Sequence, residues 1–409
     1  VAVMKIASHY RIPVTPRGAG TGLSGGALAV HGGIVLSLER MNRILEIDEK
    51  NLAAVVEPGV ITEVFQNAVE ARGLFYPPDP ASKGSCLLGG NVAECSGGPR
   101  AVKYGVTKDY ILGVEAVLPS GEIIRHGGKL LKNVTGYNLT QLLVGSEGTL
   151  AVVTEITTRL IGLPKLRQTL LVPFADLDSA ARVVPAIFRA GMVPSACEFM
   201  EKDAIRASVA HLGVPFAYTD AEALLVIEVD GDRAENIERD RDAIGELVLA
   251  EGALDVVVAD TTEKQKEVWR IRRATNEAIK KICPYKEEDV VVPRFALPEL
   301  VRGIKEISQR GGFRTICYGH AGDGNLHVNI LKDQMSDHDW NENLRGPIEE
   351  IFRLTVSLGG TLSGEHGIGF VQKGYMPIAF SQVELGLMAR LKAAFDPQGI
   401  LNPGKILPG

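Results

Sequence analysis

The chain has 409 residues, 45% of them apolar and 23% charged, with a formal net charge of −6. That length accommodates two or three domains; the acidic balance, with no basic block, excludes nucleic acid as the main partner, and no apolar run approaches the roughly 20 residues of a membrane span. The five cysteines, Cys86, Cys95, Cys197, Cys283 and Cys317, are scattered without a Cys-x-x-Cys pair, which argues against an iron–sulfur cluster or zinc ribbon and fits a reducing, cytoplasmic compartment.

Residues 1–10 read as an amphipathic helix without the shape of a signal peptide, so the chain is expected to start inside an element. Short strands are expected over 12–15, 34–38, 44–48 and 53–57. A helix over 62–72 follows, with Thr62 as N-cap. Segments 111–118 and 122–125 flank Pro119-Ser-Gly121 and read as a hairpin, and 149–160 is a long β-branched run. Beyond Pro164 strands over 168–174, 193–200, 223–230, 254–259 and 289–293 alternate with helices over 176–190, 202–212, 234–251, 262–282 and 297–309. A helical tail spans 382–395. The rhythm predicts an α+β chain whose C-terminal domain is ferredoxin-like with an antiparallel sheet. Boundaries are expected at 163 and 380, giving domains 1–163 and 164–380 and a C-terminal segment 381–409.

The 45 glycines cluster, and so do the motifs. Gly20-Thr-Gly-Leu-Ser-Gly25 matches G-x-G-x-x-G, but the third glycine leads to a strand rather than a crossover helix, which argues against a Rossmann site. A glycine-dense turn between strands can still wrap a pyrophosphate with successive amides, and Arg17 adds charge. Tyr76-Pro-Pro-Asp-Pro80, Gly89-Gly-Asn-Val-Ala-Glu-Cys-Ser-Gly-Gly98 and Gly145-Ser-Glu-Gly-Thr149 fit a dinucleotide held by loops.

His320 and His327 bracket the turn in Gly319-His-Ala-Gly-Asp-Gly-Asn-Leu-His-Val-Asn329, and Gly364-Glu-His-Gly-Ile-Gly369 follows. A hairpin there would fold both imidazoles to one side, and Glu365 can supply an oxygen ligand. Mixed N/O ligation with an open position suits a divalent cation, Zn²⁺, Mn²⁺ or Fe²⁺, with His366 beside it as acid or base. Asp323 reads as a turn former, and His31, His126, His211 and His338 as structural.

Taken in order, segments 16–27, 76–80, 89–98, 144–149 and 402–405 resemble the vanillyl-alcohol-oxidase-type flavoproteins. The branch is that of glycolate oxidase flavin subunits, D-lactate dehydrogenases and D-2-hydroxyglutarate dehydrogenases. The resemblance implies a mixed α+β FAD-binding domain, here N-terminally shortened, followed by a substrate domain. It implies FAD contacts from Pro16, Arg17, Gly18, Ala19, Gly20, Thr21, Gly22, Pro78, Asp79, Gly90, Asn91, Ser96, Gly97, Gly148 and Asn402. Covalent-flavin relatives carry His or Cys in the glycine loop; Gly18-Ala-Gly20 implies non-covalent FAD. The metal ligands it implies are His320, His327 and Glu365, with His366 as catalytic base, Asn329 near the substrate and Arg272 forking its carboxylate. Where the 2-hydroxyglutarate enzymes place a lysine six residues before a strand-ending proline, this chain has Glu287, with Lys286 and Lys280 as nearby stand-ins.

The expected activity is therefore FAD- and metal-dependent oxidation of a D-2-hydroxy acid, D-lactate or glycolate favoured, to the 2-oxo acid. Electrons go to an external acceptor: an iron–sulfur subunit, an electron-transferring flavoprotein, a quinone or a cytochrome. A homodimer is left open, and any attachment to the inner membrane runs through a partner. The rival readings are a non-catalytic flavin relay subunit and an oxidase that uses O₂.

Overall fold

Runs rich in Val, Ile and Thr build the sheets, and the residues described, 1–408, fall into two units in this computed structural model. Unit 1 comprises Val1–Gly98, Gly105–Leu163 and the chain from Glu365 onward; unit 2 comprises Pro99–Tyr104 and Pro164–Gly364. The sequence places its last boundary at 380, whereas by compactness the change of unit follows Gly364.

In unit 1 an antiparallel sheet runs in the order Ile44–Asp48, Ala53–Val56, Val152–Arg159, Ile111–Val117, Ile123–Gly127. The last two strands form the hairpin expected around Pro119-Ser-Gly121. Separately, Val14–Arg17 pairs in parallel with Ile34–Ser37. Met4, Ala7, Val14, Val117, Val152, Ile400 and Leu401 bury one cluster, so helix Ala2–Tyr10 and residues near the C-terminus share a core. No helix lies between the two parallel strands among the described residues, in keeping with the reading against a Rossmann site. The Thr62 cap is not made. Helix Thr62–Glu70 has Ile61 at its N-cap, and the Thr62 hydroxyl turns inward to accept Asn91 Nδ2 at 2.6 Å.

Unit 2 is built on a seven-stranded sheet in the order Val257–Ala259, Leu166–Phe174, Ala223–Gly231, Ala196–Glu201, Thr315–His320, Asn325–Leu331, Tyr285–Val291, every neighbour antiparallel. Strands Ala196–Glu201, Thr315–His320 and Asn325–Leu331 are buried at every residue. One face carries Ala196, Met200, Leu224, Val226 and Tyr318, packed by Ile205, Trp269 and Ile279 from helices Lys202–Leu212, Thr262–Arg273 and Thr275–Lys280. The alternate residues Cys197, Phe199, Leu225, Ile227, Cys317 and Val328 are buried on the other face.

Two expectations for unit 2 change. The helix expected over 262–282 breaks at Ala274, because the Thr275 hydroxyl donates to Arg272 O at 2.8 Å and competes with the helical ladder. The strand expected at 289–293 is Tyr285–Val291. The helices and antiparallel sheets make the chain α+β, as read from its sequence, and no described helix is long and apolar enough to cross a membrane.

Candidate active site

In unit 2 the histidine hairpin forms as its motif predicts. Strands Thr315–His320 and Asn325–Leu331 pair with Tyr318 opposite His327 and His320 opposite Asn325. Side chains two apart share a face, so the imidazoles of His320 and His327 meet with centroids 5.3 Å apart and planes at 85°. Gly324 closes the turn at φ +83; a Cβ there would lie 2.0 Å from Val292 O, so no other residue fits. Asp323 Oδ1 accepts Asn325 N at 3.3 Å, a turn-forming contact.

Carboxylates surround the pair. Glu198 is fully buried, accepts His320 Nδ1 at 2.8 Å and accepts Arg272 Nη2 at 2.6 Å. His327 Nδ1 stands 3.5 Å from Glu287 and 3.6 Å from Asp289. Asp289 accepts Asn325 Nδ2 and Ser363 Oγ, both at 2.7 Å, and Gly364 N at 2.9 Å. Glu287 and Asp289 alternate with Lys286 and Glu288 along their strand, and the register sets Glu287 opposite Asn329 and Asp289 opposite His327. Asn329 is buried, with Nδ2 donating to Ile316 O at 3.2 Å.

Arg272 reaches this face from the last turn of its helix, where a basic residue suits the C-terminal dipole. One turn earlier Trp269 donates Nε1 to Glu228 at 3.0 Å and fixes the helix against the sheet. The Arg272 guanidinium lies 4.8 Å above the Tyr318 ring, and its Nε is buried without an acceptor among the described residues. A buried, unsatisfied donor on a cation is costly, and an incoming carboxylate would satisfy it.

If ionised, Glu198, Glu287 and Asp289 against Arg272 leave a formal excess of two negative charges beside two imidazoles. Buried charge needs compensation, and a divalent cation on His320 and His327 would supply it. The donor set fits such an ion, and His320 would offer Nε2 because Nδ1 is engaged.

In unit 1 the flavin-type loop is laid out as a cradle. Among the described residues no acceptor engages the amides of residues 19–23, Ala19, Gly20, Thr21 and Gly22 included. Arg17 folds its guanidinium over this row, so that a Cβ on Gly20 would lie 2.7 Å from Nη2. Gly18 faces Gly90 N, Gly90 has open space where a side chain would be, and Gly148 lies against Pro16. Exposed amides beside a guanidinium fit a pyrophosphate. Other expected contacts face inward. Asn91 is spent on Thr62, Gln66 Nε2 holds Pro78 O at 2.8 Å, Asp79 pairs with Lys83 at 2.7 Å, and Ser96 Oγ donates to Asn91 Oδ1 at 3.5 Å. Asn402 is buried and donates to Gly26 O and Glu147 O at 3.0 and 2.8 Å.

Glu365 and His366 belong to unit 1, one peptide bond beyond the Gly364 that Asp289 anchors. Gly97 lies under Glu365: a Cβ would come within 2.9 Å of Oε2. Ser24 Oγ donates to the carbonyls of His366 and Gly367 at 3.1 and 2.8 Å. Glu147 accepts the amides of Ile368 and Gly369 at 2.8 and 2.7 Å. The neighbouring Glu94 carboxyl is pushed well above its ordinary pKa by burial and then by the charge of Glu147.

Sequence reasoning passes over Glu198, Asp289, Glu94 and Glu147. Glu198 carries a usable signal, a lone carboxylate inside the apolar run Ala196-Cys-Glu-Phe-Met200. Glu147 sits in a motif read only for its backbone.

The family description "FAD linked oxidases, C-terminal domain" matches residues 163–406, and "FAD binding domain" matches residues 1–127. A glycolate oxidase subunit GlcD of Bacillus subtilis is 43% identical over 99% of this chain and 86% of its own length. A D-lactate dehydrogenase of Anaerostipes hadrus is 39% identical over 99% of this chain and 86% of its own. A D-2-hydroxyglutarate dehydrogenase of Stutzerimonas stutzeri is 34% identical over 99% and 88%. The solved structure of p-cresol methylhydroxylase superposes with a TM-score of 0.80 at 16% identity, over 98% of this chain and 85% of its own, a likeness of fold. With an FAD-binding domain joined to the C-terminal domain of FAD-linked oxidases, the chain belongs to the FAD-linked oxidase family and is an oxidoreductase of the glycolate oxidase subunit, D-lactate dehydrogenase and D-2-hydroxyglutarate dehydrogenase group.

Proposed function

We propose that the chain oxidises a small D-2-hydroxy acid, D-lactate or glycolate, to the 2-oxo acid. The observation that carries this is Arg272, whose buried Nε lacks an acceptor on the sheet face that presents His320 and His327. Arg272 binds the substrate carboxylate, since a guanidinium fork matches a carboxylate in bidentate fashion. A divalent cation would be held by His320 and His327, with Glu365 as the oxygen ligand expected from sequence, and His366 would take the hydroxyl proton. When bound, non-covalent FAD would supply the hydride acceptor and the cation would lower the cost of the developing alkoxide.

Glu287 supports a short substrate. It lies on the same strand face as Asp289, opposite Asn329, where its carboxylate would repel a second carboxylate. Neither stand-in lysine offsets it. Lys286 lies on the alternate face and donates to Trp340 O at 2.5 Å, and Lys280 pairs with Glu277 at 2.8 Å.

Electrons leave to an external acceptor: a partner iron–sulfur subunit, an electron-transferring flavoprotein, a quinone or a cytochrome. The five cysteines are all free and scattered, and the Bacillus subtilis relative is named as a subunit. A relay subunit without chemistry of its own has no use for a histidine pair beside a buried arginine, which favours the enzyme.

The test is anaerobic bleaching of the flavin absorbance by D-lactate, glycolate and D-2-hydroxyglutarate, each with and without EDTA. Bleaching by D-lactate or glycolate that EDTA abolishes is the expected result. Retained FAD that none of the three acids bleaches would overturn the reading.

A further inference from the structure

Glu198 is a carboxylate with no exposure to solvent, on a central strand of the unit 2 sheet, and it is committed to two partners. Both of its oxygens stand within hydrogen-bonding distance of His320 Nδ1, at 2.8 and 3.0 Å, and Oε2 also takes Arg272 Nη2 at 2.6 Å. An ionised carboxylate only accepts, so the proton of a neutral His320 sits on Nδ1 and the Nε2 lone pair faces away from Glu198. The same carboxylate fixes one corner of the Arg272 guanidinium, while the Tyr318 ring fixes its plane from 4.8 Å. The buried Nε is thereby left on a defined edge.

We infer that Glu198 is a positioning residue: one carboxylate sets the tautomer of His320 and the orientation of Arg272, and so ties the cation site to the carboxylate site. This rests on the proposed function above. Carboxylates that orient ligating histidines typically change metal affinity 10- to 100-fold when removed. Linkage requires the coupling to run both ways, so a bound monocarboxylate and a bound cation each alter the affinity for the other.

The experiment uses the FAD-loaded protein and has two arms. In the first, Mn²⁺ or Zn²⁺ affinity is measured against a competing chelator for wild type, Glu198→Gln and Glu198→Asp, with melting and FAD content recorded. Glu198→Gln is expected to weaken binding about 10- to 100-fold, with Glu198→Asp recovering part of the loss. Unchanged affinity in a folded Glu198→Gln protein would overturn the inference. In the second arm, ¹⁵N-histidine spectra of the EDTA-treated wild type, with His320 assigned by the His320→Gln spectrum, report the tautomer. A proton on Nδ1 supports the inference, and a proton on Nε2 overturns it even if no Glu198 variant folds. Wild type that takes up neither metal would overturn the metal part of the proposed function, and the tautomer would then decide the inference.

Discussion

Arg272 lies 4.8 Å over the ring of Tyr318, and Tyr318 in turn lies 5.1 Å, centroid to centroid, from His327. The aromatic ring thus separates the proposed carboxylate fork from the proposed ligand. Hydrogen bonds to charged groups are worth about 1.5–3 kcal/mol, so Arg272→Lys, which loses the bidentate fork, is expected to lower kcat/KM for D-lactate about 10- to 100-fold. The loss should fall mainly on KM. Tyr318→Phe keeps the ring and should lose less than Tyr318→Leu, which should resemble Arg272→Lys. Steady-state kinetics of the three variants checks the ordering.

Glu287→Lys places a cation where a distal carboxylate would meet the site face. The ratio of kcat/KM for D-2-hydroxyglutarate to that for D-lactate should rise at least about tenfold, the scale of one charge-assisted hydrogen bond. An unchanged ratio in a folded variant would count against Glu287 as the residue that limits substrate length.

Asp289 ties Asn325, Ser363 and Gly364 together within unit 2. Asp289→Ala leaves these donors without their acceptor, at about 1–3 kcal/mol for a buried unsatisfied group. A stability loss of about 3 kcal/mol is expected in urea unfolding. Because Glu365 and His366 follow Gly364 directly, activity should fall further than stability accounts for.

Burial and then Glu147 hold the Glu94 carboxyl well above its ordinary pKa of 4.5, and burial also raises Glu147. A raised folded-state pKa favours the protonated protein. Its contribution is therefore complete below 4.5 and is lost as pH climbs through the elevated value. Glu94→Gln removes that loss, so the variant should melt higher than wild type at about pH 9 and show no such advantage at about pH 4. Melting curves across the range that differ by a constant amount would contradict the assignment.

The sequence exposes the hairpin at 319–329 because turn chemistry and paired imidazoles coincide there. It hides the first half of the neighbouring strand Tyr285–Val291, which is expected only from residue 289 onward. Strands are recognised by apolar alternation, and in Lys286-Glu-Glu-Asp289 the side chains on the site face are carboxylates. The pattern vanishes where the strand serves chemistry. Glu198 is hidden for the opposite reason: it stands in an apolar strand, and its partners come from distant parts of the chain. The helix break at Ala274 depends on one hydroxyl, that of Thr275, choosing its own backbone. No periodicity records that choice. The loop at 18–33 is legible as a glycine-dense turn between strands without a crossover helix, whereas the inward turn of Asn91 and Asn402 requires three dimensions.

The early strand Val14–Arg17 has Ile34–Ser37 on one side, and Val14 exchanges backbone hydrogen bonds with Ile400 and Asn402 on the other. A ribosome makes Val14 long before Ile400 and Asn402. At about 5–20 residues per second, Val14 waits roughly 20–80 s for Leu401. Pro164–Gly364, nearly all of unit 2, emerges after Pro99–Tyr104 during that interval, so unit 2 can fold while unit 1 still lacks an edge. Nascent chains arrested between Gly364 and Ile400 should therefore hold a protease-resistant C-terminal portion beside a sensitive N-terminal one, and acquisition of the flavin would be among the last events of biogenesis.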